Sequence, residues 1–336
     1  MDIRGLCIAG VVLQALVFGL GSAITKLAYE SISPWWCLTI RFGLAALAFG
    51  VLFAPRIVAG LRAVQVRDWL PAALCMAVSY ISCNVALDLT SATNVGFLMA
   101  LPVVFTPVIA AVVLRRRYRL VHLPFQVAVV GGLYLLCSSG GTFSFGPGEA
   151  LALLCAVTGA GAYVFGERGM ARMDVTAMSF AQMAVTFVVS LAGTFAFDGP
   201  LDVAAVQPEA WGVVAFLALA STCLAFALQN AALVRLPSST VSMLLASEPI
   251  FTALFSWGIL GESLSLVGLA GAAVITVCVV GETLVDGRAP LPARRTLPVP
   301  GACLLYTSWK RSHERGRKAG RWACAAACRR TSSDGF

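Results

Sequence analysis

Asn84-Val85-Ala86-Leu87, Ser91-Ala92-Thr93 and Pro102 return later in the chain, in the same order and near-identical spacing, as Asn230-Ala231-Ala232-Leu233, Ser238-Ser239-Thr240 and Pro249. An internal repeat of this length is decisive for the fold, because each copy is one structural unit. Around both copies the chain is strongly apolar. Runs of about 17–22 residues recur up to position 285, each long enough to cross a hydrocarbon core of roughly 30 Å as a helix. Ten such runs are expected, at 6–28, 35–54, 69–87, 92–114, 121–139, 148–168, 175–197, 209–232, 238–259 and 264–284. Five fall in each unit. Five is odd, so the second unit must enter the membrane from the opposite face, which makes an inverted repeat.

Composition requires a membrane. Hydrophobic residues are 59% of the chain and charged residues 12%, against about 45–50% and about 25% in soluble domains. Lipid offers the backbone no hydrogen-bond partners, so the expected fold is all-α, with ten transmembrane helices. The divisions expected are a first five-helix repeat over 1–142, a second over 143–287, and a basic tail over 288–336. The net charge of +8 suggests a nucleic-acid or lipid partner until it is divided by region. Residues 1–287 hold 13 Lys and Arg against 14 Asp and Glu, and the tail holds 11 against 2. The excess belongs to the tail, and no nucleic-acid partner is expected.

Charge also orients the spans. Arg4, Arg56, Arg62, Arg67, Arg115, Arg116, Arg117, Arg119, Arg168, Arg172 and Arg235 fall at the N-terminus and on every second loop. The alternate loops have no Lys or Arg and carry Glu30, Asp88, Glu149, Asp198, Asp202, Glu209 and Glu262. Basic loops stay on the cytoplasmic side, so both termini are expected there, in a cell (inner) membrane. Trp35, Trp36, Trp69 and Trp211 open spans at the expected interfaces, where indole rings anchor.

Charges within spans are costly and tend to be functional. Lys26 lies near the outer end of span one, where its long stem can snorkel to the headgroups or its ammonium can bind a ligand. Arg41 lies about two turns into span two, deep enough to need a buried partner or an anionic substrate. Glu248 lies near the midpoint of span nine, just before Pro249, which removes a helical hydrogen bond. Low dielectric penalises the charged form of a carboxylate, so a group in this position can take up and release a proton. The alternative is a structural ion pair with Lys26 or Arg41. The matching position in the first unit is Leu101, before Pro102, so both units share a helix break but only one carries the charge.

Among uncharged polar residues, Tyr80 and Asn84 rank first as an (i, i+4) pair on one helix face, and Asn230 follows by repeat symmetry. Gln14, Ser79, Asn94, Tyr163, Gln182 and Gln229 form a second tier, able to bond across helices. Gly19 and Gly21, Gly159 and Gly161, and Gly268 with Gly271 suit close helix approach.

The block Glu248-Pro249-Ile250-Phe251-Thr252-Ala253-Leu254-Phe255-Ser256-Trp257-Gly258-Ile259-Leu260-Gly261-Glu262, followed by Gly268 and Gly271-Ala272-Ala273, resembles the signature of the EamA-type branch of the drug/metabolite transporter superfamily. Lys26, Pro34 and Arg41 agree more loosely in the first half, and the likeness covers roughly residues 5–285. It implies a ten-helix secondary carrier that works by alternating access, commonly an exporter of amino acids, other metabolites or toxic compounds, coupled to protons or to exchange. An importer of a similar solute is the alternative. After span four the chain departs from the pattern, with Arg115-Arg116-Arg117 where relatives often have Gly-Glu. The implied partners are a small-molecule substrate, the lipid bilayer and protons as coupling ion, in a monomer or homodimer.

Enzyme signatures are absent: there is no Walker motif, no His-Glu-x-x-His and no Gly-x-Ser-x-Gly. Neither enzymatic activity nor a cofactor is expected, and a non-transporting scaffold or intramembrane enzyme is the remote alternative. Eight cysteines are scattered singly through the spans and read as small hydrophobes. The tail reads as disordered, as a polybasic lipid-binding segment, or, because Cys303-Leu304-Leu305-Tyr306-Thr307-Ser308 looks like translated vector sequence, as foreign.

Overall fold

A computed structural model describes residues 3–90, 92–115, 120–137, 146–260 and 265–287. The tail, the Arg116-Arg117 pair with Arg119, and Gly261-Glu262 lie outside the described residues. The described chain is helical throughout its expected spans. Seven helical stretches are long and apolar enough to cross a membrane, and three shorter apolar helices lie at Pro102–Val113, Leu123–Leu136 and Leu266–Glu282. The protein is an all-α, multi-pass membrane protein.

The elements are α1 (Ile3–Tyr29), α2 (Pro34–Arg62), α3 (Val66–Leu89), α4 (Ala92–Met99), α5 (Pro102–Val113), α6 (Leu123–Cys137), α7 (Pro147–Gly169), α8 (Val175–Phe197), α9 (Pro208–Ala218), α10 (Ala225–Leu233), α11 (Ser238–Leu245), α12 (Glu248–Leu260) and α13 (Leu266–Gly287). Local chemistry sets several starts. Ser33 caps α2 by accepting from the Trp36 N–H at 3.2 Å, with Pro34 in the first turn, where no N–H is required. Asp174 caps α8 through the Thr176 N–H at 2.9 Å. The Glu149 carboxylate accepts from the Gly146 N–H at 2.9 Å and so closes the start of α7.

Three departures from the expected spans matter. Span two does not stop near residue 54. Its helix runs on to Arg62 through a kink at Phe53 (φ −124°, ψ 16°) before Pro55, which cannot supply the hydrogen bond the straight helix would need. Spans four and nine are each two half-helices, α4/α5 and α11/α12. Pro102 and Pro249 sit in the first turn of the second half, so the break falls just before each proline. Span eight is interrupted as well, by a π-helical turn over Leu219–Leu224 between α9 and α10.

Small residues place the helices. An added Cβ on Gly19 would come within 2.6 Å of Phe251 Cβ and 2.7 Å of the Thr252 nitrogen, so α1 lies directly on the backbone of α12. On Gly271 it would meet the Gly132 carbonyl oxygen at 2.5 Å and the Leu136 nitrogen at 2.6 Å, which explains why the glycine-diluted α6 still forms: it packs on α13. Gly159 and Gly161 admit Ser79 and Cys75 of α3 to the surface of α7. The principal pairings are α3 with α7 and α1 with α9 and α10, α5 with α7 and α1 with α12, α2 with α8, and α6 with α13. This set maps onto itself when the first five spans are exchanged with the last five.

The two ends differ. At one end Val64, Trp69, Met170, Met173, Val175 and Leu236 join the largest apolar cluster, and Arg172 pairs with Asp68 at 2.8 Å. At the other, Ser33 donates to Asp198, the Trp36 indole donates to the Gly199 carbonyl at 2.8 Å, and Trp35 stacks on Phe197 with ring centroids 5.5 Å apart. Between these ends, displaced toward the second, lies a cavity.

Candidate substrate cavity

The cavity has a volume of about 130 Å³ and is walled by α1, α2, α3, α7, the α4/α5 and α11/α12 breaks, and the π-helical turn. Met76, Ser79, Tyr80, Cys83, Asn84 and Leu87 form one stripe of α3 facing it, the (i, i+3, i+4) face that the Tyr80–Asn84 spacing anticipates. Arg41, Pro102 and Glu248 line it as well.

Arg41 is 8% exposed and is held on one side only. Its Nε donates to Thr222 Oγ1 at 2.8 Å, and its Nη2 donates to the Ser221 carbonyl at 2.9 Å and to Ser221 Oγ at 3.2 Å. The π-helical turn makes this possible. Its widened bonding pattern leaves the Ser221 carbonyl available, while Thr222 Oγ1 satisfies the Leu217 carbonyl at 2.9 Å. The guanidinium also lies over two rings, 5.3 Å from the Tyr80 centroid and 5.5 Å from Phe42. Nη1 has no hydrogen-bond partner among the described residues, so Arg41 retains donors for an anionic group.

Glu248 is the first residue of α12, not the middle of a continuous helix. A carboxylate there interacts favourably with the unbonded N–H groups and positive dipole end of the half-helix. Among the described side chains no cation forms an ion pair with it, Arg41 included. Glu248 and Arg41 therefore face the same space without closing on each other. The Lys26 side chain lies outside the described residues, and so does that of Asn94.

Asn84 accepts a hydrogen bond from the Tyr29 hydroxyl and donates to the Tyr80 carbonyl at 2.7 Å, tying α1 to α3 beside the cavity. Asn230, selected by repeat symmetry, points elsewhere. Its amide donates to Gln182 Oε1 at 2.7 Å and Ser179 Oγ at 2.9 Å, and it is fully buried between α10 and α8. The adjacent Gln229 lines the cavity in its place and accepts from Gln14 Nε2 at 2.9 Å. Pro249 is not among the lining residues; its role is the break. Ser221, Thr222 and Tyr29 were not singled out by the sequence. A π-helical turn has no sequence signature, and the pairing of Tyr29 with Asn84 depends on how α1 packs against α3.

The EamA-like transporter family model matches twice, over residues 5–138 and 146–281. The chain is 27% identical over 271 residues to an uncharacterized transporter of Archaeoglobus fulgidus, covering 81% of this chain and 83% of that protein. It is 26% identical over 285 residues to the uncharacterized transporter YcxC of Bacillus subtilis, covering 81% and 91%. A crystal structure superposes with a TM-score of 0.68 at 20% identity, over 83% of this chain and 98% of that one, a likeness of fold.

Proposed function

Because this chain belongs to the EamA-like transporter family, we propose that it is a secondary carrier exporting a small solute by alternating access, with Glu248 as the proton-coupling group and Arg41 as the anion-binding group. The cavity carries this reading, since Arg41 from the first half and Glu248 from the second meet there without pairing with each other or with another described side chain of opposite charge. The broken helices support it, because half-helix ends in mid-membrane leave backbone groups free for ligands. The exchange symmetry of the helix pairings supports two halves of inverted orientation, able to swap packings.

The charge distribution supports a reading in which the cavity end is the outer one and both termini lie in the cytoplasm of a cell (inner) membrane. The Gln14–Gln229 bond at the cavity wall and the apolar cluster around Met170 and Leu236 support a cycle in which that side is the closed, inner one. A proton taken up at Glu248 from outside and exchanged for a solute bound from inside amounts to export. The cycle requires only one copy, so a monomer suffices, and a homodimer of two such copies is compatible with it.

Solute counterflow in vesicles holding the full chain tests the carrier reading, with labelled amino acids, nucleosides and cationic dyes as the panel. At least one should exchange saturably, and Gly159→Phe, which fills the cavity beside Ser79, should abolish that exchange. Exchange at an unchanged rate in Gly159→Phe would refute the reading.

A further inference from the structure

We propose that the cavity wall also holds a binding site for a soft monovalent metal ion, Cu(I) or Ag(I), formed by Cys83, Cys155 and Met99. The two cysteines read in sequence as scattered small hydrophobes. The fold brings the three residues together from three elements: Cys83 from α3, Cys155 from α7, and Met99 from the last position of α4, beside the helix break. The Cys83 thiol is directed at the Met99 thioether, 3.1 Å from sulfur to sulfur. Across the α3–α7 boundary the Cys155 Sγ lies 3.3 Å from Ser79 Oγ, one turn before Cys83 on the same cavity-facing stripe of α3. Both thiols are free, and all three residues face the cavity, as does Met76.

Two thiols and a thioether at this spacing are a soft donor set, which selects Cu(I)-type ions over harder cations. Zinc does not fit. It takes four nitrogen, sulfur or oxygen ligands in a tetrahedron, and among the described residues no cluster of three His, Cys, Asp or Glu exists. Binding is ligand exchange without redox: the ion displaces one proton from each thiol, both protons leave to solvent, and two metal–thiolate bonds form with the Met99 thioether as third donor. The resulting centre carries a net charge of one negative. Arg41, lining the same cavity, supplies the compensating cation. The remaining described cysteines have no such convergence, Cys75 lying against Gly161 and Cys223 against the Ala45 carbonyl.

The site shares its wall with the proposed solute cavity, so its test is metal binding measured without organic solute. Full-length protein with Cys303, Cys324 and Cys328 changed to Ser is titrated in detergent with Cu(I) buffered by a chromophoric chelator. One ion per chain should bind, with thiolate-to-metal charge-transfer absorption in the ultraviolet. Cys83→Ser and Cys155→Ser should each abolish that band, and Met99→Leu should weaken affinity by about tenfold or more. Cys75→Ser and Cys223→Ser should change nothing. If either thiol variant misfolds, the wild-type background decides instead, because Ag(I) should then protect Cys83 and Cys155, and not Cys75, from maleimide labelling mapped by mass spectrometry. Absence of binding, binding that survives Cys83→Ser or Cys155→Ser, or absence of protection overturns the proposal. Metal binding is read without solute and counterflow without metal, so either reading can fail while the other stands.

Discussion

Replacing Glu248 by Gln tests the coupling step with a magnitude that follows from the structure. Glu248 is the one carboxylate among the described residues lining the cavity. One titrating carboxylate carries one proton per cycle, so a one-unit pH gradient supplies about 1.4 kcal/mol, equivalent to about a tenfold solute ratio. The assay uses vesicles with an acidic lumen, oriented so that export reads as uptake, with the membrane potential clamped at zero by potassium and valinomycin. Wild type should approach about tenfold accumulation for one pH unit and about a hundredfold for two. Glu248→Gln keeps the shape and the hydrogen-bonding capacity of the side chain but cannot carry the proton. It should still exchange solute in counterflow, and its gradient-driven accumulation should fall to a ratio of about one. Wild-type accumulation in Glu248→Gln refutes the assignment. A ceiling of about a hundredfold per pH unit in the wild type refutes the single-carboxylate stoichiometry.

Four further outcomes follow. Arg41→Lys keeps the charge but loses the planar fork that spans Ser221 and Thr222; it should lower thermal stability by about 1–2 kcal/mol and raise the solute KM, and an unchanged KM would remove Arg41 from the binding site. Gly271→Ala, whose methyl would press on the Gly132 carbonyl at 2.5 Å, should destabilise by about 1–3 kcal/mol, whereas Gly131→Ala, with nothing within 4 Å, should not; equal melting curves for the two would contradict the α6–α13 packing. Asn230→Leu should reduce stability while leaving KM intact, because its bonds to Gln182 and Ser179 are structural, and Asn84→Leu should alter KM; the opposite pattern in transport kinetics would reverse the two assignments. Deleting residues 288–336 should leave counterflow and melting unchanged, and loss of either would show that the basic tail contributes to the folded carrier.

Much of this architecture could be read from residue types alone. Burial in lipid is a bulk property, so long apolar runs report it without any knowledge of neighbours, and the prolines at 102 and 249 report helix breaks because a missing N–H acts locally. Candidate residues were harder. Arg41 and Glu248 are conspicuous because a charge in an apolar run is costly wherever its helix packs. Asn230 and Gln229 show the limit, since adjacent side chains on one helix point about 100° apart, and only the position of α8 and α1 around α10 decides which faces the cavity.

What the sequence determined by itself is that this chain lives in a bilayer as a multi-pass bundle of helices with a few charges inside its apolar runs. The tertiary structure decided which of those groups meet. Arg41 is anchored by a π-helical turn with no signature in residue types, Glu248 stands at a half-helix N-terminus without an ion partner among the described residues, and Cys83, Cys155 and Met99 line one cavity from three helices. Hydrophobicity adds up along a chain, whereas convergence depends on the rotation and crossing of helices, which glycine contacts such as Gly19 on α12 and Gly271 on α6 set far from the cavity itself.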